Sequence, residues 1–345
     1  MMPSAEIALL TLFSTMATIG LVGNLLVCFI IQRNRPVKRP INYLFLNLAV
    51  SDAIVLLFLS SKYVLIHTYE HPTGNIGDFL CKFLTGGSLA WTGAISSVCT
   101  MICISFERFY IVLKPCYYLK VFKVSNIKVA LVFSWVFAVV FNIPLFIFGN
   151  FDADKEHCTE AWPPGGFSKF YALTWLAVVA VIPAVVVFVV YSQIIYILWI
   201  KKNTTTTAIT RTAMHKARRK VTKVVYIISL IYCVSWFPPL IINVIAVFAP
   251  NRHIGDVTYE AAVFLIVINS SVNPLVYTFQ SARFRQHLRH LFCRRKAKNS
   301  VCPQGGETNQ AAWIPPLSNN RCNGGQVKEL QVASQDLLFL WLTGP

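Results

Sequence analysis

Few ionisable residues interrupt the long apolar stretches of this chain, and those that do are the first candidates for chemistry. Asp52 sits in Leu46-Asn47-Leu48-Ala49-Val50-Ser51-Asp52, and Asn24 in Gly23-Asn24-Leu25-Leu26-Val27. Asn269, Ser270 and Asn273 share the run Asn269-Ser270-Ser271-Val272-Asn273-Pro274-Leu275-Val276-Tyr277. A carboxylate in hydrocarbon is costly and marks a functional site by default. One carboxylate among amides and hydroxyls offers oxygen ligands to a small hard cation such as Na+. The alternative is a hydrogen-bonded structural cluster around a protonated Asp52. Lys62 and Glu260 are two further isolated charges, and Glu107 is followed directly by Arg108. The chain shows no nucleophile–base pair, no HExxH and no phosphate loop, so no enzymatic chemistry is expected.

The elements that must position these residues follow from composition. Of 345 residues, 55% are hydrophobic and only 13% charged, against about 25% charged in soluble domains. Uncharged runs reach the roughly 20 residues that a helix needs to cross a bilayer. Lys+Arg 31 against Asp+Glu 14 gives a net charge of +17. A nucleic-acid binder would spread its basic residues over a solvated face without such runs, so no nucleic-acid partner is expected. A disordered chain, a collagen and a typical cytosolic enzyme are likewise excluded. Residues 7–31 lack the basic leader and cleavage site of a signal peptide and read as a membrane helix. Six more spans are predicted at 42–66, 80–112, 127–148, 168–200, 220–249 and 259–280.

Orientation comes from the connections. Segments 32–41, 108–128, 201–223 and 281–345 hold 26 of the 31 Lys and Arg residues. The positive-inside rule puts them in the cytoplasm, with the N-terminus extracellular and the C-terminus inside. The opposite connections collect acids, among them Asp78, Asp152, Asp154, Glu156 and Glu160. Of ten cysteines, only Cys81 and Cys158 fall at or beyond the outer helix ends, where disulfides persist. A Cys81–Cys158 bridge would tie the third span to the second outer loop; the alternative is two free thiols. Past Tyr277, the apolar residues Phe284, Leu288, Leu291 and Phe292 share one face among basic residues, the pattern of a helix lying on an anionic leaflet. Cys293 at its end is a candidate palmitoylation site, or a free thiol. The stretch after about residue 297 is rich in Gly, Asn, Gln, Ser and Pro and reads as disordered; its apolar end, residues 337–342, either docks on the membrane or is translated non-coding sequence.

Read in order, the motifs resemble those of the rhodopsin-like (class A) family of G protein-coupled receptors. Asn24 matches the GN of the first helix, Leu46 to Asp52 the LxxxD of the second, and Glu107-Arg108-Phe109 stands at the D/E-R-Y position. Trp135 marks the fourth helix, Pro183 with Tyr191 the fifth, Trp236-Phe237-Pro238 the sixth, and Asn273-Pro274-Leu275-Val276-Tyr277 is a full NPxxY. The resemblance covers about residues 15–293. It implies an all-α membrane protein: a seven-transmembrane helix bundle at 7–280 with a short amphipathic eighth helix at 281–293. Residues 1–6 would be a short extracellular N-terminus without a ligand-binding ectodomain, and 294–345 a cytoplasmic tail. A plasma-membrane, multi-pass receptor is implied, with a heterotrimeric G protein, arrestin and membrane lipids as partners.

The resemblance also implies roles. Glu107 restrains Arg108 at rest, and Arg108 swings out to meet the G protein when the sixth helix moves. Tyr191 and Tyr277 hydrogen-bond the rearranged network, and Pro238 hinges the sixth helix below the ligand cavity, where Trp236 packs. Helix packing as in the family would gather Asp52, Ser97, Asn269, Ser270 and Asn273 into a sodium site. It would also set Lys62 and Glu260 facing one cavity as ligand-binding charges, unless Lys62 snorkels and Glu260 stays solvated. Four departures stand out. Cys81 to Arg108 is two residues longer than the family's usual spacing, an excess expected at Gly86-Gly87. Ser235 replaces a common Cys and Tyr232 a common Phe, and Arg218-Arg219-Lys220 offers Arg108 no carboxylate, leaving Glu107, helped by Thr222, as its lock.

The ligand follows partly by exclusion. The seventh span holds no Lys for a retinal Schiff base, so retinal is not a cofactor. No acid lies between Cys81 and Phe106 to pair an amine as in biogenic-amine receptors. The sixth-helix run Val234-Ser235-Trp236-Phe237-Pro238-Pro239 and the basic third inner loop look most like the neuropeptide branch, such as galanin, somatostatin or allatostatin-type receptors. A lipid or other small-molecule ligand is the alternative. A transporter would show internal repeats and a path of ionisable groups, which this sequence lacks.

Overall fold

Hydrocarbon offers backbone N–H and C=O groups no outside partner, so apolar runs of this length must satisfy them internally as helices. The computed structural model describes residues 4–33, 40–65, 70–154, 157–196, 208–249 and 256–280. Its helices are α1 (Ser4–Arg33), α2 (Pro40–Leu65), α3 (Gly74–Leu80), α4 (Ser88–Leu113), α5 (Pro115–Val121), α6 (Val124–Phe148), α7 (Phe167–Trp175), α8 (Ile182–Ile195), α9 (Ala208–Phe248) and α10 (Asp256–Gln280). Among the described residues six spans are long and apolar enough to cross a membrane, and α10 completes the bundle. The eighth helix at 281–293, Cys293 and the tail lie outside the described residues.

Helix ends differ from the apolar limits because a helix continues while its backbone bonds can be made. Thus α1 begins at Ser4 rather than residue 7, and α9 at Ala208 rather than residue 220. The short α5 and one hairpin were not expected from an all-helical reading. Strands β1 (Gly149–Asp152) and β2 (His157–Glu160) pair antiparallel, Phe151 opposite Cys158 and Gly149 opposite Glu160.

The third span carries its two extra residues in a specific way. Between α3 and α4 the chain makes a π-turn at Cys81–Thr85, closed by the Gly86 N–H donating to the Cys81 carbonyl at 3.0 Å. A π-turn holds one residue more than an α-turn. Gly87 then adopts a φ of 89°, in the left-handed region that favours glycine. The excess is spread over Cys81–Gly87, not confined to the glycine pair. A second π-turn, Leu176–Val181, precedes Pro183 in the fifth span. Here the hydroxyl of Tyr232, on α9, donates to the Val179 carbonyl. This bond gives a physical reason for tyrosine where phenylalanine is usual.

The bundle closes through α1 against α2 and α10, α2 against α4, α4 against α6 and α8, and α9 against α10. Two apolar clusters fill it. One runs from Phe13 and Leu59 through Val98 to Trp236 and Val263; the other gathers Val27, Leu44, Leu48, Ile104, Phe122 and Ile127. Between them, on α1, α2 and α10, lie the buried polar residues Asn24, Asp52 and Asn273. Close approach is built in by small residues: a Cβ on Gly93 would sit 2.9 Å from the Ser51 carbonyl oxygen.

Candidate functional site

The polar layer is the centre of the arrangement. Asp52 is fully buried; its Oδ1 accepts from the Ser97 hydroxyl at 3.0 Å and its Oδ2 from Asn273 Nδ2 at 2.6 Å. Ser270 adjoins the same carboxylate, while Asn269 is buried one position earlier without joining it. Asn24 donates to the Gly20 and Ser270 carbonyls at 2.9 and 3.0 Å, tying α1 to α10 beside Pro274. On the other flank Asn47 donates to Ser96 and Thr100 and accepts from the Trp135 indole at 2.8 Å. Four of the five residues expected at a sodium site are therefore together. Their donors are a carboxylate and hydroxyls, a set that suits a small hard cation. Asn273 now offers the carboxylate its N–H rather than its oxygen, so a cation would have to displace or turn that amide.

At one end of α4, Glu107 and Arg108 meet. The Arg108 Nε and Glu107 Oε2 atoms are 3.1 Å apart but are not aligned as a hydrogen bond, so the contact is a charge pair. The side chains are 14% and 1% exposed respectively, which means the pair is shielded from salt and water. Glu107 has a second partner that the sequence did not signal: the hydroxyl of Tyr118, on α5, donates to its Oε1 at 3.4 Å. Tyr191 is buried with Ser105 and Arg108 beside it, yet among the described residues its hydroxyl makes no well-formed hydrogen bond. The side chains of Tyr277, Thr222 and Arg218 to Lys220 lie outside the described residues.

At the opposite end, Cys81 and Cys158 form a disulfide with Cα atoms 5.5 Å apart. It pins the β1–β2 hairpin to the head of the third span. The His71 ring lies near both sulfurs, but their mutual bond leaves no thiolate for a metal. Under the hairpin is a cavity of about 100 Å³ with an aromatic lining that includes Trp91, Trp162, Tyr171, Trp175, Trp236 and Tyr259. Trp91 and Trp175 pack edge to face at 5.7 Å, and Trp91 lies 6.5 Å from Trp236. Trp236 is 2% exposed and its indole N–H has no acceptor. It sits in α9 two and three residues before Pro238 and Pro239, which deprive the Val234 and Ser235 carbonyls of their helical partners.

Lys62 and Glu260 do not line this cavity. The Lys62 ammonium reaches the Gly86 carbonyl at 3.4 Å rather than Glu260, because the bend at Gly86-Gly87 turns that oxygen towards α2. Among the described residues, the charged member of the lining is Glu160, from β2. Its aromatic companions are spread over α4, the hairpin exit, α7, α9 and α10, too far apart in sequence for any spacing to reveal them.

An aromatic cavity at one end, a buried Arg–Glu pair at the other and a polar layer between them are the features of one known architecture. A model of the 7 transmembrane receptor (rhodopsin family) matches residues 23–277. The chain belongs to this family. The receptor is 28% identical to C-C chemokine receptor type 1 of Macaca fascicularis over 324 residues, 90% of this chain and 83% of that protein. It is 26% identical to somatostatin receptor type 5 of Rattus norvegicus, over 91% and 86% of the two chains. Neuropeptide FF receptor 2 of Mus musculus is 27% identical over 81% of this chain and 71% of its own. Its place is among multi-pass membrane receptors, not enzymes, and the transporter alternative is set aside.

Proposed function

We propose that this receptor sits in the plasma membrane with its N-terminus outside, binds a secreted peptide under the β1–β2 hairpin and activates a heterotrimeric G protein. The relatives named for chemokine, somatostatin and neuropeptide FF support a peptide. The observation that carries the reading is the cavity: at about 100 Å³ it is well below the roughly 300–1,000 Å³ of a drug-sized ligand site. It holds one side chain or chain end, with the rest of the ligand lying on the loops. Movement of Trp236 then bends α9 at its proline pair, and Arg108 leaves Glu107 to pack against the G protein. Asp52, Ser97, Ser270 and Asn273 hold Na+ in the resting state, and Tyr191 and Tyr277 receive the rearranged network. The basic surface helix, a lipidated Cys293 and arrestin binding complete the reading.

The test is nucleotide exchange on purified G proteins by the receptor in lipid nanodiscs, challenged with fractionated secreted peptides and, separately, with lipid extracts. A protease-sensitive fraction that accelerates exchange is expected. Activation by lipid fractions alone would replace the peptide with a small molecule.

A further inference from the structure

We propose that the group entering the aromatic cavity is a cation with apolar flanks, an arginine or lysine side chain or a protonated amine, and that Glu160 is its counter-ion. The proposal rests on the receptor reading only in taking the cation to belong to a secreted peptide. The walls supply the first reason: Trp91, Trp162, Tyr171, Trp175 and Tyr259 line one small space. Indole and phenol faces carry negative quadrupoles that attract cations, tryptophan most strongly, and they repel carboxylates.

Charge supplies the second reason. Glu160 is exposed at the mouth and is the charged member of the lining. Among the described residues the ion pair is Glu107–Arg108, far from this end, and none involves Glu160. Among the described residues Lys62 is engaged on the Gly86 carbonyl and Lys169 lies over the Phe248 ring at 5.4 Å, while Lys82, beside Gly149, makes no ion pair with Glu160. The neighbouring acids are also engaged, since Asp78 accepts from the Phe151 N–H at 2.9 Å and Asp152 from the Asp154 N–H at 3.2 Å. Among the described residues that line the cavity, Glu160 is the acid.

Depth supplies the third reason. Trp236 also lines the cavity, and its buried indole N–H, itself a donor, has no acceptor among the described residues. It has nothing to offer a cation, so the positive charge belongs at the mouth, between the indole faces and Glu160. No acid on α4 takes part, which separates this arrangement from an amine site built on the third helix.

Four of the eight tryptophans line the cavity, so indole fluorescence reports occupancy. The probes are Nα-acetyl-arginine methylamide and its citrulline counterpart, which has nearly the same shape without the charge. Each is titrated into the purified full-length receptor in nanodiscs. The expected result is affinity for the arginine probe about tenfold or more above the citrulline probe. That preference should vanish in Glu160→Gln and persist in Glu160→Asp, with both variants melting within a few degrees of the parent. Equal affinity for the two probes, no response to either, or a preference that survives Glu160→Gln would overturn the proposal. The titration contains no G protein, so failure of the receptor to couple leaves its outcome untouched.

Discussion

Glu107 holds two partners at once, the Arg108 guanidinium beside it and the Tyr118 hydroxyl from the next helix. Hydrogen bonds to charged groups contribute roughly 1.5–3 kcal/mol, and this one is long, so Tyr118→Phe should remove an amount near the lower limit. Basal nucleotide exchange should rise severalfold in Tyr118→Phe, and further in Glu107→Gln, at matched expression; an unchanged Tyr118→Phe would leave Arg108 as the sole restraint. The Glu107–Arg108 pair was legible because the residues are adjacent. Tyr118 was not, because α5 has to turn back before its ring can reach the carboxylate. Asp52 was legible as an acid in an apolar run, and its partners arrive from α4 and α10. Raising Na+ should lower agonist affinity in the parent and have no effect in Asp52→Asn; indifference of the parent would make the cluster structural only. Lys62 and Glu260, expected to face one cavity, do not line the aromatic one, and the Lys62 ammonium reaches the Gly86 carbonyl. The effects of Lys62→Met and Glu260→Gln on agonist potency should therefore add, within about 0.5 kcal/mol. A coupling energy well above that would restore the pairing.

Helices were legible from apolar run length, but their irregularities were not. Two extra residues between Cys81 and Arg108 could be counted, yet the count does not say whether they form a bulge, a loop or a bend. The answer lies in tertiary packing. The disulfide holds Cys81 to the hairpin, Lys62 satisfies the Gly86 carbonyl, and Gly87 takes the left-handed conformation. A Cβ on Gly87 would also meet the Trp91 Nε1 atom at 3.3 Å and the Lys62 Cδ atom at 3.5 Å. Gly87→Ala should thus cost about 1–3 kcal/mol through backbone strain and shift Trp91 in the cavity wall. Thermal melting in nanodiscs should fall, and the indole fluorescence of the ligand-free receptor should change with it. An unaltered melting temperature would mean that the bend relaxes without strain. The hairpin escaped notice for a simpler reason: its strands of four residues each are too short to show a period of two.

On the scale of the whole molecule, the seven-helix architecture was readable because hydrocarbon permits so few solutions. The cavity was not, because its lining residues come from separate helices and a loop. What the bundle joins is a mouth at the disulfide end and a charge pair at the other, through the Asp52 layer. We propose that release of this pair is the signal to a G protein, which can be tested without knowing the ligand. Parent, Glu107→Gln and Arg108→Ala receptors would be reconstituted in nanodiscs and mixed with purified heterotrimers of each Gα class. Guanine-nucleotide exchange would be followed against empty nanodiscs. The expected result is exchange by Glu107→Gln well above the parent on at least one class, with Arg108→Ala at the level of empty discs. Equal rates for all three receptors and empty discs, across every class, would rule out this role for the Glu107–Arg108 pair.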